Sequence, residues 1–505
     1  MDRNQQTRQA QFSNYLNLLS VANYEDPASR WSTADDRDRF VNPILRVLDT
    51  IALCMATGES GDVIASTFYK TPEKKTILLS KNADPSSKDR KDGDVLIKIM
   101  QDPDSRGMLD ILPFIAYRGA KGVQKRLKKL SELMETYRDE LLEYIRAYTI
   151  NTPGRDGLFK SEFPQMGEAF FRPYKDNGET SSTVKTILRD IIATCVAREN
   201  FVNDRSSFRK FTFVVSAATA LGNSKFFENY IKSRSIVKTG DKKYSKLWRN
   251  LDKVRQYIRI NDAIYHMKQE GPFTVKWVTK ADLSKAAIFE VRGILLSDMW
   301  DTINSIRKKN TESNMEKDFN HKHAKSHLKN MNSFFDEKSM KPRSANTTLH
   351  AELRLIVYLE TRDQHKSTLN PNVKVQHPIG CSKRSCLACT WTMEEINKLT
   401  RVTYLTAGSH TGVYATSALI GPIDKIDPEG TCGKHVFQRV LDVSKGVVEK
   451  LSGPLDSAGV KRHGHKHSED YASASDPDGE GEPDKSSRSY DFAPNLYEEQ
   501  RFQDK

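Results

Sequence analysis

Between Ala120 and Thr149 the apolar residues Val123, Leu127, Leu130, Met134, Tyr137, Leu141, Ile145 and Tyr148 recur every three or four positions. This is the stripe of a long amphipathic helix, and its other face is strongly charged. Helical spacing returns in Val184 to Val196, in Phe211 to Leu221 and from Tyr244 through Ile264. Together these predict a helical region over about 100–310, for which ordinary packing is a sufficient account, and residues 1–60 are expected to be helical as well.

Strand patterns are fewer. Val63 to Tyr69 and Thr76 to Ser80 flank the turn-like Lys70-Thr71-Pro72-Glu73-Lys74-Lys75 and predict a β-hairpin within 61–84. Phe273 to Thr279 alternates like a half-buried strand directly after Gly271-Pro272. The chain then turns polar, and 311–346 reads as a linker or mobile loop. Beyond 451 it is too poor in apolar residues to offset the entropy of ordering, so 451–505 reads as a disordered tail.

The unit between them, 347–450, is the informative one. His350-Ala351-Glu352 opens Leu353-Arg354-Leu355-Ile356-Val357-Tyr358-Leu359, which suits a buried helix with His350 and Glu352 near its N-terminal end. Val373 to Gly380 reads as a strand, and Ser385-Cys386-Leu387-Ala388-Cys389 begins a helix that runs to about Leu399.

Composition narrows the setting. The 505 residues exceed one ordinary hydrophobic core, so two or three structural units are expected. No run of about 18 apolar residues occurs, and the polar N-terminus lacks the apolar stretch of a signal peptide. A cytoplasmic or nuclear protein with no membrane segment is the expectation. The net charge of +13 favours a polyanionic partner, because lysines and arginines displace counterions from nucleic acid, although a solvated surface explains it equally well. The most basic stretch, Lys225 to Arg259, includes Tyr244, Trp248 and Tyr257; these could stack on bases, but their helical spacing favours the core.

Six cysteines, three of them between Cys381 and Cys389, look like thiols kept for a metal and unlike a disulfide framework. Hydrolytic deamination needs a nucleophilic water at neutral pH, and zinc with three protein ligands and an open position lowers the pKa of bound water to about 7. His350, Cys386 and Cys389 supply three ligands. The reaction also needs a group that takes the water proton and returns it to the ring nitrogen and the leaving ammonia, and Glu352, two residues from His350, suits that role. A structural zinc site or a redox pair competes for the same Cys-x-x-Cys. His321, His323 and His327, and His463, His465 and His467, also have ligand-like spacing, but both groups sit in polar segments that read as solvated.

From His350 to about Pro422 the chain resembles the cytidine deaminase-like superfamily, whose signature is His-x-Glu followed by Pro-Cys-x-x-Cys. It is more closely similar to the branch of nucleic acid/nucleotide deaminases known mainly from fungi and from Orientia. The residues that carry the likeness are His350-Ala351-Glu352, Ile379 through Cys389, and Gly408-Ser409-His410-Thr411-Gly412-Val413-Tyr414. The resemblance implies a three-layer α/β/α deaminase-like fold with a mixed sheet, to which the large helical region and the C-terminal tail are added. In that fold a hairpin precedes the histidine helix and an asparagine after its second strand contacts the substrate sugar. Asn82 would fill that place if strands 63–69 and 76–80 complete the sheet, with the helical region inserted after them; an unrelated local hairpin is the alternative. His410 could position a base or phosphate, or be an ordinary loop histidine.

Two departures from the signature matter. Ser385 stands where the superfamily has proline, and Cys381 offers a spare thiol, so the ligand is either Cys381 or Cys386, with Cys386 expected. The expected function is zinc-dependent deamination of cytosine or adenine in a nucleotide or nucleic acid. The alternative is a catalytically inactive zinc fold that binds nucleic acid or acts as a scaffold. Neither the target base nor the oligomeric state is written in the sequence.

Overall fold

The computed structural model describes residues 3–24, 43–105, 107–150, 157–197, 199–237, 242–310, 321–332, 335, 337–362, 375–407 and 412–452. The chain divides into two compact units. The first takes in the described residues of 1–53, 60–93 and 273–480, and the second those of 54–59 and 94–272.

The first unit is built on a mixed sheet. β1 (Ile64–Lys70) and β2 (Lys75–Lys81) form the hairpin, antiparallel from Ile64 opposite Lys81 to Lys70 opposite Lys75. β3 (Thr274–Trp277) lies parallel to β2, with Thr76 opposite Thr274. On the other side β1 pairs antiparallel with β8 (Gly380–Cys381), Ala65 opposite Cys381 and Ser66 opposite Gly380. β8 continues β7 (Val375–Pro378), which runs parallel to β9 (Val402–Leu405). The Ile379 N–H donates to the Leu405 carbonyl at 2.8 Å and carries that pairing across the break between β7 and β8. The hairpin is therefore hydrogen-bonded to the strand that leads to the cysteine pair.

Side chains alternate between the faces of a sheet, so strands as buried as β1 and β2 need cover on both sides. Helices α1 (Arg3–Val21), α2 (Pro43–Met55), α3 (Ser87–Gln101), α4 (Ala351–Glu360), α5 (Leu387–Leu399) and α6 (Thr431–Ser452) are the ones that matter here. Ala65 and Leu78 share a hydrophobic core with α4 and α5. Their neighbours Ser66 and Leu79 face the opposite way: Ser66 Oγ donates to the Leu48 carbonyl of α2 at 2.7 Å, and Leu79 packs against Gly93 of α3. The result is a three-layer α/β/α arrangement. At Gly380 a Cβ would lie 2.1 Å from the Leu48 carbonyl carbon, so the approach of α2 to β8 requires glycine.

α1 and α6 close the same core, with the Phe12 and Tyr15 rings 6.3 and 5.8 Å from Phe437. β4 (Ala286–Ile288) pairs antiparallel with β10 (Ile420–Ile423), and β5 (Ile294–Leu296) with β6 (Arg343–Ala345). These strands correct two boundaries. Of the helical region expected to reach 310, the helices of the second unit end at Glu270, and the chain from Phe273 onward contributes both strands and the helix Met299–Asn310 to the first unit. The expected linker 311–346 contains a helix, His321–Met331, because Ala324 and Leu328, one turn apart, are fully buried; 311–320 lie outside the described residues. Apart from its first two residues, which end α6, the tail from 451 also lies outside them.

The second unit is helical. Its longest helix, Met108–Ala147, starts earlier than the stripe from Ala120 suggests, because Met108, Ile111, Leu112 and Ile115 extend the buried face toward the N-terminus. Helices Ser181–Val196 and Arg205–Asn223 follow, capped by Thr180 accepting the Thr183 N–H at 3.1 Å and Asp204 accepting the Ser207 N–H at 2.8 Å. In the basic stretch Tyr257 is buried and the Arg255 guanidinium lies 4.6 Å above the Trp248 ring, so these two aromatics pack within the unit; the Tyr244 side chain lies outside the described ones. No described helix is long and apolar enough to cross a membrane.

Candidate metal centre

α4 is buried on every side, which explains the near-continuous apolar run that specifies it. His350 is its N-cap residue, with extended backbone, and Glu352 lies in its first turn, 3% exposed. Cys386 is the N-cap of α5 and Cys389 lies in the first turn of that helix. Two helix starts therefore meet at one point, and the four side chains arrive there from elements rigidly packed on the sheet.

The His350 Nδ1 atom lies 3.1 Å from Cys389 Sγ and 3.4 Å from Cys386 Sγ. All three donor atoms fall within 4.8 Å of one another. Nitrogen and sulfur donors on one tetrahedral zinc stand about 3.5 Å apart, given the usual Zn–N and Zn–S bond lengths. The three atoms are thus spaced to share a metal ion. Cys381 is outside this cluster; its Sγ lies 4.0 Å from the Ile379 carbonyl, and its N–H donates to Asp49 Oδ1 at 2.8 Å.

Electrostatics agree with that donor set. Burial pushes the Cys389 thiol well above its ordinary range, and the neighbouring Cys386 and Glu352 add like-charge repulsion. Burial works to lower the His350 pKa, but the Cys386 thiolate and Glu352 outweigh it and raise the imidazole to about 9. Three groups that become anionic share a dry site with one imidazole. A divalent cation is the counter-charge such a set accepts, and one nitrogen with two thiols suits borderline-soft zinc.

Asn82 stands beside the helix start. Its Oδ1 accepts the Ala351 N–H at 2.9 Å, and its Nδ2 donates to the Gly61 carbonyl at 3.3 Å. His410 lies outside the described residues, as do 408–411 as a whole. His321, His323 and His327 are on the His321–Met331 helix, where the His323 and His327 rings pack 4.7 Å apart; they do not join the metal cluster.

Other residues at the site have no motif to announce them. Ser417 Oγ lies 3.7 Å from Cys386 Sγ, and Gln9 of α1 holds the segment leading into β10 by donating to the Ser417 carbonyl at 3.1 Å and accepting the Leu419 N–H at 2.7 Å. Phe12, Thr348, Leu353 and Ala418 line a small space together with His350 and Cys389. Arg354, a charge inside the apolar run of α4, belongs to a further polar network that was not singled out from the sequence.

Residues 349–417 match the family model described as OTT_1508_deam:-like deaminase. The matched span contains His350, Glu352, Cys386 and Cys389, and it supports a domain of the cytidine deaminase-like kind. No curated protein and no solved structure matches the chain.

Proposed function

Starting from a deaminase-family domain at 349–417, we propose that this protein is a zinc-dependent hydrolase that replaces the exocyclic amine of cytosine or adenine by a carbonyl, in a nucleotide or a nucleic acid. The observation that carries the reading is the His350 imidazole nitrogen facing two thiols, with the Glu352 side chain, two residues on, beside Cys389. His350, Cys386 and Cys389 would hold the zinc, which supplies the Lewis acidity that makes water a competent nucleophile at neutral pH.

The remaining work falls to the chain. Glu352, fixed in the first turn of α4 and outside the ligand set, takes one proton from water and delivers it to the ring nitrogen, and then relays the second proton, from the hydroxyl added to the ring carbon, to the amine that leaves as ammonia while the carbonyl forms. A three-ligand set that leaves out Cys381 would leave a metal one position for water, unlike a closed structural site with three thiols and a histidine. Asn82 contacts the substrate sugar. The surplus of 79 basic over 66 acidic residues supports a polyanionic substrate.

The test is ammonia release from a panel of cytosine and adenine nucleotides and oligonucleotides. Release by the wild type that disappears in Glu352→Ala is the expected outcome. Release that persists in Glu352→Ala contradicts the mechanism.

A further inference from the structure

Arg354 is fully buried, a costly place for a guanidinium unless every donor is matched. Its Nη1 lies 3.2 Å from Asp84 Oδ1, its Nη2 lies 3.0 Å from Glu290 Oε1, and its Nε donates to the Leu349 carbonyl at 3.0 Å. Glu290 Oε1 also accepts the Leu349 N–H at 2.8 Å and lies 3.1 Å from Thr348 Oγ1. Lys280 pairs with the second Glu290 oxygen, and its N–H donates to Asp84 Oδ1 at 2.9 Å. Lys280, Arg354 and the Leu349 N–H hold Glu290 below the usual carboxylate range against its burial.

Both main-chain polar groups of Leu349 are thus held by side chains, the N–H by Glu290 from a distant segment and the carbonyl by Arg354 of α4 itself, and Leu349 is the residue directly before His350. Asp84 follows β2, whereas Lys280 and Glu290 flank the return of the chain after β3. We infer that Arg354, Glu290 and Asp84 form a clamp that fixes the Thr348–Leu349 backbone and thereby aims the His350 imidazole at Cys386 and Cys389. Arg354 and Glu290 are positioning residues, which touch neither metal nor substrate. The inference rests on the metal reading of His350, Cys386 and Cys389.

A clamp serving only stability and a clamp serving ligand geometry differ in what they do to a folded protein. Removing residues that orient a ligand typically weakens metal binding by about 10–100-fold. The experiment measures the zinc affinity of the full chain by competition with a chromogenic chelator, and the visible absorption bands of the Co(II)-loaded protein. In Glu290→Ala zinc should bind about 10–100-fold more weakly, with shifted Co(II) bands. Glu290→Gln, which keeps an oxygen for the Leu349 N–H, should recover most of the affinity. Unchanged affinity and bands in a folded but less heat-stable Glu290→Ala overturn the clamp. If Glu290→Ala does not fold, Arg354→Lys keeps the charge and loses the planar fork; weaker zinc binding supports the clamp and unchanged binding overturns it. A wild type that binds neither ion overturns the metal reading itself, whereas equal binding by wild type and folded variants overturns the clamp alone.

Discussion

The side-chain oxygen of Asn82 accepts the main-chain N–H of Ala351 at 2.9 Å, tying the end of β2 to the first turn of the helix that carries Glu352. It satisfies one of the helix N-terminal donors that have no partner within the helix. Asn82→Ala should therefore lower stability by about 1 kcal/mol, as loss of a capping group does. If Asn82 also donates to substrate, Asn82→Asp should recover the stability through its oxygen while KM stays raised for want of the amide donor. Recovery of both by aspartate would leave Asn82 a purely structural residue.

Glu352→Gln keeps the shape of the side chain and removes its capacity to take a proton. Its kcat should fall by about 10²–10⁴-fold, the usual worth of general acid–base catalysis, with metal content unchanged. Activity near that of the wild type in Glu352→Gln would remove Glu352 from the proton path.

In the metal-free protein protons and metal compete for the same donors. Because the neighbouring thiolate holds the His350 imidazole up to about 9, above its ordinary value, His350 is still protonated at neutral pH. Metal binding must displace that proton together with the one that burial keeps on the Cys389 thiol. Apparent zinc affinity should accordingly rise steadily from about pH 6 to about pH 8, as isothermal titration can follow. A flat profile would mean that these groups are not the ligands.

Gly380→Ala tests the layer opposite the metal site. The added Cβ meets the Leu48 and Asp49 backbone at 2.1 and 2.3 Å, and neither belongs to a flexible side-chain tip. A loss of about 3 kcal/mol, the upper end for overpacking, is expected in chemical denaturation. A variant as stable as the wild type would show that α2 yields easily.

Much of this was legible because it was local. The stripe from Val123 to Ile145 is a periodic signal, and those residues are buried in one helix. The spacing of His350, Cys386 and Cys389 places three donors at two helix starts, which is where the structure brings them together. The hairpin, too, could be read from alternation, but its attachment to β8 came only from the resemblance. The parallel pairing of β2 with β3 joins Thr76 to Thr274 and leaves no local trace in either strand. β4, β5 and β6 have three residues each, too few for a period to show. The His321–Met331 helix hides in a polar segment because only Ala324 and Leu328 are fully buried. The role of Arg354 was not read from the sequence, because its partners Asp84 and Glu290 lie 270 and 64 residues away.

The most direct test of the metal centre is the zinc content, by mass spectrometry, of the purified wild type, Cys386→Ala and Cys381→Ala. The cluster of His350, Cys386 and Cys389 predicts one zinc per chain in the wild type, lost in Cys386→Ala and retained in Cys381→Ala. A wild type free of zinc, or zinc that departs with Cys381 and stays without Cys386, would contradict it.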